Sequence, residues 1–190
     1  MERPIPIDII PSHVYLSAGD RATLFGSHAP MTIADDLSQR GQYVYKETLE
    51  VFGKLKRSLE LRVLGPDWEQ SFVELTPTEA SFLGVRAEEV KTGDIAGAAP
   101  CRLVGPQGEV AIKKGVIIPR PHLLCSPEEA SAIRVQNGGV ITVDISRTKP
   151  TELEGVLVRV HPAFSMRLEI HQDYARSLWL TRGAHVRIRS

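Results

Sequence analysis

Two histidines lie in similar sequence segments. Both side chains could take part in a reaction, and the rest of the chain must position them. His13 lies in P-S-H-V-Y-L-S and His122 lies in R-P-H-L-L-C-S. Each segment follows an apolar run and ends in a serine with an acidic residue three positions later, which is typical of a capped helix start. An imidazole can bind a metal ion or exchange a proton near neutral pH. The repeated pattern predicts an internal duplication that brings His13 and His122 to equivalent positions.

Short strands must position these residues. The chain has 13 prolines and 15 glycines, which separate short segments of alternating or β-branched residues. This punctuation is typical of a barrel or a sandwich with few, short helices. The clearest predicted elements are strands at 5–10, 47–52, 58–64, 71–75 and 140–145, and capped helices at 17–25, 76–82 and 126–133. Residues 27–41 are predicted to be irregular and polar.

Composition excludes several classes of protein. The chain has 190 residues, of which 42% are hydrophobic and 24% charged, and its formal net charge is zero. It therefore lacks the basic surface that nucleic acids or anionic membranes attract. No apolar run approaches the roughly 20 residues of a membrane span, and no secretory signal is present, so a cytoplasmic protein is expected. The two cysteines, Cys101 and Cys125, are expected to be free thiols.

Motifs along nearly the whole chain resemble those of PduL-type phosphotransacylases, also called phosphate propanoyltransferases. They are D-L-S-Q-R-G-Q (36–42), K-E-T-L (46–49), R-V-L-G-P (62–66), G-D-I-A-G (93–97), L-V-G-P-Q-G-E-V (103–110), G-V-I-I (115–118) and V-L-V-R-V (156–160). These enzymes interconvert acyl-CoA plus phosphate with acyl phosphate plus CoA. The resemblance implies a mainly β homodimer with two interlocked β-barrels capped by short α-helices. It assigns residues 1–45 plus 119–190 to one barrel and 46–118 to the other.

The resemblance also implies a two-zinc site between the barrels, held by two His-x-His pairs, a glutamate and a histidine of the last strand before the final helix. His13 and His122 match the first member of each pair. The second members are replaced, by Tyr15 and by Leu124. The zinc ions of the family hold the CoA sulfur and position phosphate, so these replacements imply an altered site.

Two carboxylates complete the expected ligand set. Glu47 is aligned with the family glutamate, and Glu169 stands where the last histidine is expected, with His171 two residues beyond it. One hypothesis is that His13, His122, Glu47 and Glu169 converge on a single zinc or other divalent ion. The alternative is that no metal binds, that the histidines are hydrogen-bonded at a barrel interface, and that Tyr15 and Leu124 fill the vacated space.

Other residues are candidates for substrate contacts. Arg40 is a candidate catalytic residue that could bind phosphate through two hydrogen bonds, or it could be a solvated loop residue. Gly93, Asp94 and Gly97 lie in a small-residue loop that could contact a cofactor such as CoA, or simply form a tight connection. Cys125 could be a nucleophile paired with the candidate catalytic residue His122, although a small buried apolar role is commoner for such a cysteine.

Three functions are compatible with this pattern. The first is a phosphate acyltransferase with an altered, at most mononuclear metal site and weak activity, acting on acyl-CoA and phosphate. The second is a non-catalytic homologue that binds CoA or an acyl ligand, or serves in assembly. The third is a repurposed mononuclear metalloenzyme. Because the chain starts close to its first strand, the N-terminal extension that directs family members into microcompartments is not expected.

Overall fold

The computed structural model describes residues 4–145, 151–181 and 183–189. The chain divides into two compact units. The central unit is Ser12–Pro119, and the terminal unit combines Met1–Pro11 with Arg120–Ser190. The two units are described separately below.

Most of the regular structure is β-strand. In chain order the elements of the described residues are β1 (Ile5–Ile10), β2 (His13–Ser17), α1 (Ala18–Phe25), β3 (Ile33–Asp36), β4 (Tyr43–Phe52), β5 (Ser58–Trp68), β6 (Phe72–Glu74), α2 (Pro77–Leu83), β7 (Glu89–Val90), β8 (Ala99–Val104), β9 (Glu109–Pro119), β10 (His122–Cys125), α3 (Pro127–Ala132), β11 (Val140–Ile145), β12 (Thr151–Val160), β13 (Arg167–His171), α4 (Gln172–Ser177) and β14 (His185–Ile188). Within these residues no helix has the length and apolar character that crossing a membrane requires.

Six strands of the central unit form a ring. β2 lies between β5 and β6, β5 pairs with β4, β6 pairs with β9, and β8 closes the ring by pairing with both β4 and β9. β3 extends the ring beside β4, and β7 extends it beside β9. Because side chains alternate between the two faces of a strand, every second residue enters the interior. The core contains Val14, Leu16, Leu49, Val51, Leu61, Val63, Val73, Leu75, Leu103 and Val116.

The terminal unit is a closed six-stranded barrel. Its strand order is β1, β13, β10, β12, β11 and β14, with β14 returning to β1. β1 joins this unit because it pairs in parallel with β13 and antiparallel with β14. The barrel interior is filled by Ile5, Ile7, Leu123, Cys125, Val143, Leu153, Val156, Val158, Leu168, Ile170 and Val186, among others.

The two rings repeat one arrangement, which confirms the predicted mainly β fold with two barrels. β2 is parallel to β5 and antiparallel to β6, and β10 is likewise parallel to β12 and antiparallel to β13. A helix follows each corresponding strand, α1 after β2 and α3 after β10, then α2 after β6 and α4 after β13. Residues can therefore be compared between the units strand by strand.

Residues 12–45 lie in the central unit, whereas the resemblance assigns them to the barrel of the terminal segments. The reason is strand pairing. β2 is held between β5 and β6, and β4, which begins at Tyr43, pairs with β5. Residues 27–41 also contain a strand that the sequence does not predict. β3 has no buried face, and it forms by backbone pairing with β4.

The predicted helix starts are present, with one difference. Thr76 and Ser126 each form a full capping box with the glutamate three residues later. The hydroxyl of Ser17 accepts the backbone N–H of Asp20, but the Asp20 carboxylate accepts the hydroxyl of Ser71 instead of returning to Ser17. The reciprocal half of the predicted box at Ser17 is therefore absent, and Ser71 supplies the acceptor for the Ser17 N–H.

Candidate functional site

His13 lies on β2 with its side chain on the face opposite the core of the central unit. Its neighbour Val14 points into the core, so His13 points away from it. The pairing of β2 with β6 places His13 opposite Glu74. Nε2 of His13 is 3.3 Å from Oε2 of Glu74, and the two side chains are only 3% and 5% exposed. A carboxylate this close to an imidazole favours a proton on the ring nitrogen that faces it.

The sequence predicts no role for Glu74, although the repeat contains the signal that identifies it. Glu74 stands two residues before Thr76, the N-cap of α2, and Glu169 stands two residues before His171, the N-cap of α4. Glu74 is thus the counterpart of Glu169 in the other barrel. Aligning the two repeats strand by strand, instead of comparing their histidine segments alone, points to it directly.

Tyr15 shares the outward face with His13, since the two residues are two positions apart on β2. The rings of His13 and Tyr15 meet edge to face, with centroids 4.9 Å apart. Tyr15 also packs on Trp68 and Phe72, at centroid distances of 5.1 and 4.9 Å, and we call Tyr15, Trp68 and Phe72 the aromatic cluster. A phenol, with an ordinary pKa near 10, is a poor metal ligand. The ring of Tyr15 acts instead as an apolar wall beside His13.

The terminal unit repeats this arrangement with different side chains. His122 on β10 is 2% exposed and stands opposite Glu169 of β13, as His13 stands opposite Glu74. Directly opposed residues of antiparallel strands have Cβ atoms about 5 Å apart, close enough to interact. Leu124 occupies the position equivalent to Tyr15 and is buried. Each unit therefore presents one histidine and one carboxylate on the outward face of its ring.

The remaining histidines divide into two kinds. His171 is 5% exposed, and its Nδ1 accepts the backbone N–H of Tyr174, which makes it the N-cap of α4. Its ring lies 4.5 Å from that of Tyr174. His28, His161 and His185 are exposed. The prediction that these four are surface or satisfied polar groups agrees with their positions, and His171 has a defined structural role.

Glu47 lies in an irregular part of β4, where the pairing with β5 changes register between Val44 and Thr48. Its carboxylate oxygens are 3.1 and 3.0 Å from the backbone nitrogen of Thr32, which donates to them. Burial opposes ionisation of Glu47, but the hydrogen bonds from Thr32 outweigh it and hold the pKa of this carboxyl below its ordinary value. The carboxylate that stands beside His13 is that of Glu74. The assignment of Glu47 as a metal ligand stays a prediction.

The lowered pKa of Glu47 has a consequence for stability. A carboxyl whose pKa is lower in the folded state stabilises the protein above its unfolded pKa, and this contribution disappears as pH falls through the folded value. We therefore expect Glu47→Gln to lower the free energy of unfolding at pH 7 and to have progressively less effect below about pH 4.5. Urea unfolding of wild type and Glu47→Gln, at pH 7 and below about pH 4.5, measures the difference in unfolding free energy. An effect that grows on acidification would contradict the role given to Thr32.

The loop that holds Gly93, Asp94 and Gly97 packs near the aromatic cluster. Gly93 has φ +83°, and a Cβ there would come within 2.7 Å of the Trp68 ring, so the close approach requires glycine. Ile95 and Ala98 pack against the same cluster. Asp94 is exposed, and its carboxylate accepts the backbone N–H of Ala96. The structure thus brings this loop to the same region of the central unit as His13.

Arg40 lies in an exposed turn between β3 and β4. The turn is closed by backbone hydrogen bonds that join Leu37 to Gln42 and Gln42 to Gln39. Leu37 packs against the aromatic cluster, and Gln39 is 3% exposed, so the turn is anchored at both places. Arg40 is exposed to solvent, and its role in binding phosphate stays a prediction.

Cys125 lies inside the terminal barrel and is fully buried. Burial, helped by the charge of Glu129, raises the pKa of its thiol to about 11, so the thiol stays protonated at neutral pH. Its Sγ lies 3.8 Å from the carbonyl oxygen of Arg159. Nucleophilic reactivity needs an accessible thiolate. The position favours the small buried apolar role over the nucleophile.

We expect Cys125→Ala to leave acyl-transfer turnover within about twofold of wild type, because the thiol reaches no reactant. The same substitution leaves a small cavity and should cost about 1 kcal/mol of unfolding free energy. Turnover and urea unfolding, measured on one preparation, test both parts. A loss of turnover beyond about 100-fold in a folded variant would restore the nucleophile hypothesis.

The donor sets of the two units fall short of an ordinary zinc centre. A catalytic zinc site normally uses three protein ligands and keeps one position open. In the central unit the outward face offers His13 and Glu74 beside a tyrosine, and in the terminal unit it offers His122 and Glu169 beside a leucine. Across the described part of the chain no group of three or more His, Cys, Asp and Glu side chains could hold a metal ion. Neither unit alone supplies the three protein ligands of an ordinary catalytic zinc site.

Comparisons with known proteins agree on one family. The family model described as phosphate propanoyltransferase matches residues 6–181. A protein named phosphate propanoyltransferase from Lachnoclostridium phytofermentans is 32% identical over 185 residues, covering 97% of this chain and 86% of its own length. Proteins of the same name from Citrobacter rodentium (37% over 173 residues, 90% of this chain and 81% of theirs) and Thermotoga maritima (33% over 183 residues, 96% and 87%) are similar in the same way.

Proposed function

Since the chain belongs to the phosphate propanoyltransferase family, we propose that it transfers an acyl group between coenzyme A and inorganic phosphate. A phosphate oxygen attacks the carbonyl carbon of the thioester, a carbon–oxygen bond forms, and the carbon–sulfur bond breaks. The products are an acyl phosphate and CoA, whose sulfur departs as a thiolate and takes up the proton that the attacking phosphate loses. The site must bind phosphate, stabilise negative charge on the carbonyl oxygen, and transfer a proton to the sulfur of CoA.

The observation that carries the proposal is the buried pair of His13 and Glu74. Glu74 favours a proton on the ring nitrogen that faces it, so that the other nitrogen of His13 can take up a proton from the attacking phosphate and then donate it to the departing sulfur. Burial strengthens such an interaction because water competes less for the donor. His122 opposite Glu169 is proposed to serve the reaction in the same manner in the terminal unit.

Substrate binding is assigned to two segments of the central unit. Arg40 is proposed to bind phosphate, because an exposed guanidinium can form two parallel hydrogen bonds to a phosphate group. The loop with Gly93, Asp94 and Gly97 is proposed to contact CoA, because it presents small residues beside the aromatic cluster.

We further propose that the site is altered, holds at most one metal ion per chain and supports weaker turnover than a site with all of its histidines. Tyr15 and Leu124 support this, since neither side chain is a good ligand. The four-ligand set of His13, His122, Glu47 and Glu169 draws on both units and stays a prediction. A cytoplasmic homodimer is proposed by analogy with the family.

The same replacements favour a second candidate, a homologue that binds CoA without turnover. Release of CoA thiol from propanoyl-CoA, measured with and without phosphate, separates the two. The first candidate predicts phosphate-dependent release, with a KM for phosphate that rises at least about tenfold in Arg40→Ala. Arg86, an exposed arginine after α2, is the control, and the KM for phosphate should not change in Arg86→Ala. Binding of propanoyl-CoA without phosphate-dependent release would establish the second.

A further inference from the structure

Two apolar side chains are exposed side by side at one end of the central unit. Leu55, in the turn between β4 and β5, is 44% exposed, and Phe82 of α2 is 42% exposed. Leu55 packs across Gly84, the C-cap of α2, where an added Cβ would lie 2.6 Å from the leucine side chain. Single exposed apolar residues are common, but adjoining ones mark binding surfaces. We call Leu55 and Phe82 the apolar pair.

A groove of about 440 Å³ lies beside the apolar pair and belongs wholly to the central unit. Gly84, on which Leu55 packs, lines this groove. Ser81, which directly precedes Phe82, lines it as well. The apolar walls are formed by Pro77, Ala80, Val85, Ala87 and Ile118. A concave apolar surface next to a helix is the kind of site that receives an apolar side chain of a bound peptide.

Positive charge surrounds the apolar pair. Lys54, Lys56 and Arg57 lie in the turn between β4 and β5, and Arg86 follows α2. All four side chains are exposed, and in the part of the chain that the structure describes none of them forms an ion pair. The formal charge of the whole chain is zero, so this charge is local. Cations near the end of a helix offset its free carbonyl groups, but that role gives no reason for the exposed apolar pair.

The backbone holds these groups in a fixed arrangement. The N–H of Leu55 donates to the carbonyl oxygen of Leu83 at 3.1 Å, and the N–H of Arg57 donates to the carbonyl oxygen of Leu55 at 2.8 Å. Gly53 lies so close to α2 that an added Cβ would be 2.3 Å from the carbonyl oxygen of Leu83. The turn is thus fastened to the end of α2. A surface that is already ordered loses little conformational entropy when it binds.

The arrangement favours a protein segment over other anionic partners. A nucleic acid stacks its bases on open aromatic faces, and Arg57 already covers one face of Phe82, 5.1 Å from the ring centroid. Elements that bind membranes project their apolar side chains outward, whereas the apolar pair borders a groove. An acidic protein segment meets both requirements, because its carboxylates complement the cations and an apolar side chain fills the groove.

We propose that the apolar pair, the adjoining groove and the four cations around them bind an acidic segment of a partner protein. One apolar side chain of that segment enters the groove beside α2, and its flanking carboxylates contact Lys54, Lys56 and Arg86. This inference does not rest on the proposed acyl transfer, since none of these residues is assigned to that reaction.

A selection from displayed random peptides about 12 residues long tests the proposal with the full chain as bait. Peptides that also bind a variant with both Leu55→Ser and Phe82→Ser are removed. We expect the remaining peptides to be enriched in Asp and Glu and to carry at least one large apolar residue. The most enriched peptide, made synthetically, should bind wild type at least about tenfold more tightly than the double variant in calorimetry.

Charge reversal gives a second test with a matched control. Lys54→Glu combined with Lys56→Glu should weaken binding of the synthetic peptide at least about tenfold. Lys113 and Lys114 are two adjacent exposed lysines on β9 of the same unit. Their combined replacement by glutamate should leave the affinity within about twofold of wild type. Equal weakening by the two charge-reversed variants would overturn the proposal.

Other results of the same experiments would also overturn it. These are a selection that leaves no peptide after subtraction, and enriched peptides with no more acidic residues than the library. Vesicles of phosphatidylglycerol and a single-stranded oligonucleotide are further probes. Binding of either one through the apolar pair, without binding of an acidic peptide, would assign the surface to that partner instead. Loss of self-association in the Leu55→Ser and Phe82→Ser variant during sedimentation would assign it to a second copy of the chain.

Discussion

Glu74→Gln is expected to lower kcat for phosphate-dependent CoA release at least about 100-fold. The amide is nearly the same size as the carboxylate, so folding is retained, but it no longer accepts through both oxygens and no longer fixes the orientation of His13. The contact that is lost is the 3.3 Å pair between two buried side chains. The KM for propanoyl-CoA should change little, because Glu74 acts through His13.

Glu50→Gln is the control for this change. Glu50 is an exposed residue of β4 whose carboxylate accepts the hydroxyl of Ser58. We expect its variant to turn over within about twofold of wild type, as surface substitutions usually do. Similar rates for Glu74→Gln and Glu50→Gln, with both variants folded by circular dichroism, would show that the His13–Glu74 pair takes no part in the reaction.

Tyr15→His is expected to add about one zinc ion per chain to the content of the wild-type protein. The introduced imidazole would lie on the same face of β2 as His13, beside Glu74 on β6, which gives three donors within the central unit. Without zinc the variant should be less stable by about 1–3 kcal/mol, because the packing of Tyr15 on Trp68 and Phe72 is lost. Zinc should recover that loss, since metal binding stabilises the folded state.

Tyr15→Phe keeps the aromatic packing and supplies no nitrogen, so it should hold no more zinc than wild type. Elemental analysis and thermal unfolding with and without zinc measure both variants. If the folded Tyr15→His protein binds no more zinc than wild type, then His13 and Glu74 do not lie close enough together to bind one ion with the introduced imidazole. A wild-type protein that already holds two ions per chain would contradict the altered site altogether.

Local sequence patterns predict which segments form strands and helices better than they predict which strands pair with each other. The capped helices after His13 and His122 follow from serine and acidic residues at fixed spacing, which act within one turn. The closure of the central ring depends on the pairing of β8 with β4, two segments that are distant in the sequence. No local pattern encodes such a contact. The resemblance likewise assigned residues 12–45 to the barrel of the terminal segments, although β2 pairs within the central unit.

The candidate site shows the same division. His13 and His122 are identified by their repeated segments, and both are buried. Which carboxylate lies beside His13 depends on the register of β2 and β6, and local sequence patterns do not predict that register. Glu47 matched a short motif in the resemblance, whereas Glu74 stands opposite His13 because β6 pairs with β2.

The most direct test of the account is phosphorus NMR of the purified chain incubated with propanoyl-CoA and inorganic phosphate. We expect the propanoyl phosphate signal to increase with time in the presence of wild-type protein, and at least about 100-fold more slowly in the presence of His13→Ala. Formation of propanoyl phosphate at equal rates by wild type and a folded His13→Ala variant would contradict it, as would the absence of any acyl phosphate from wild-type protein that binds propanoyl-CoA.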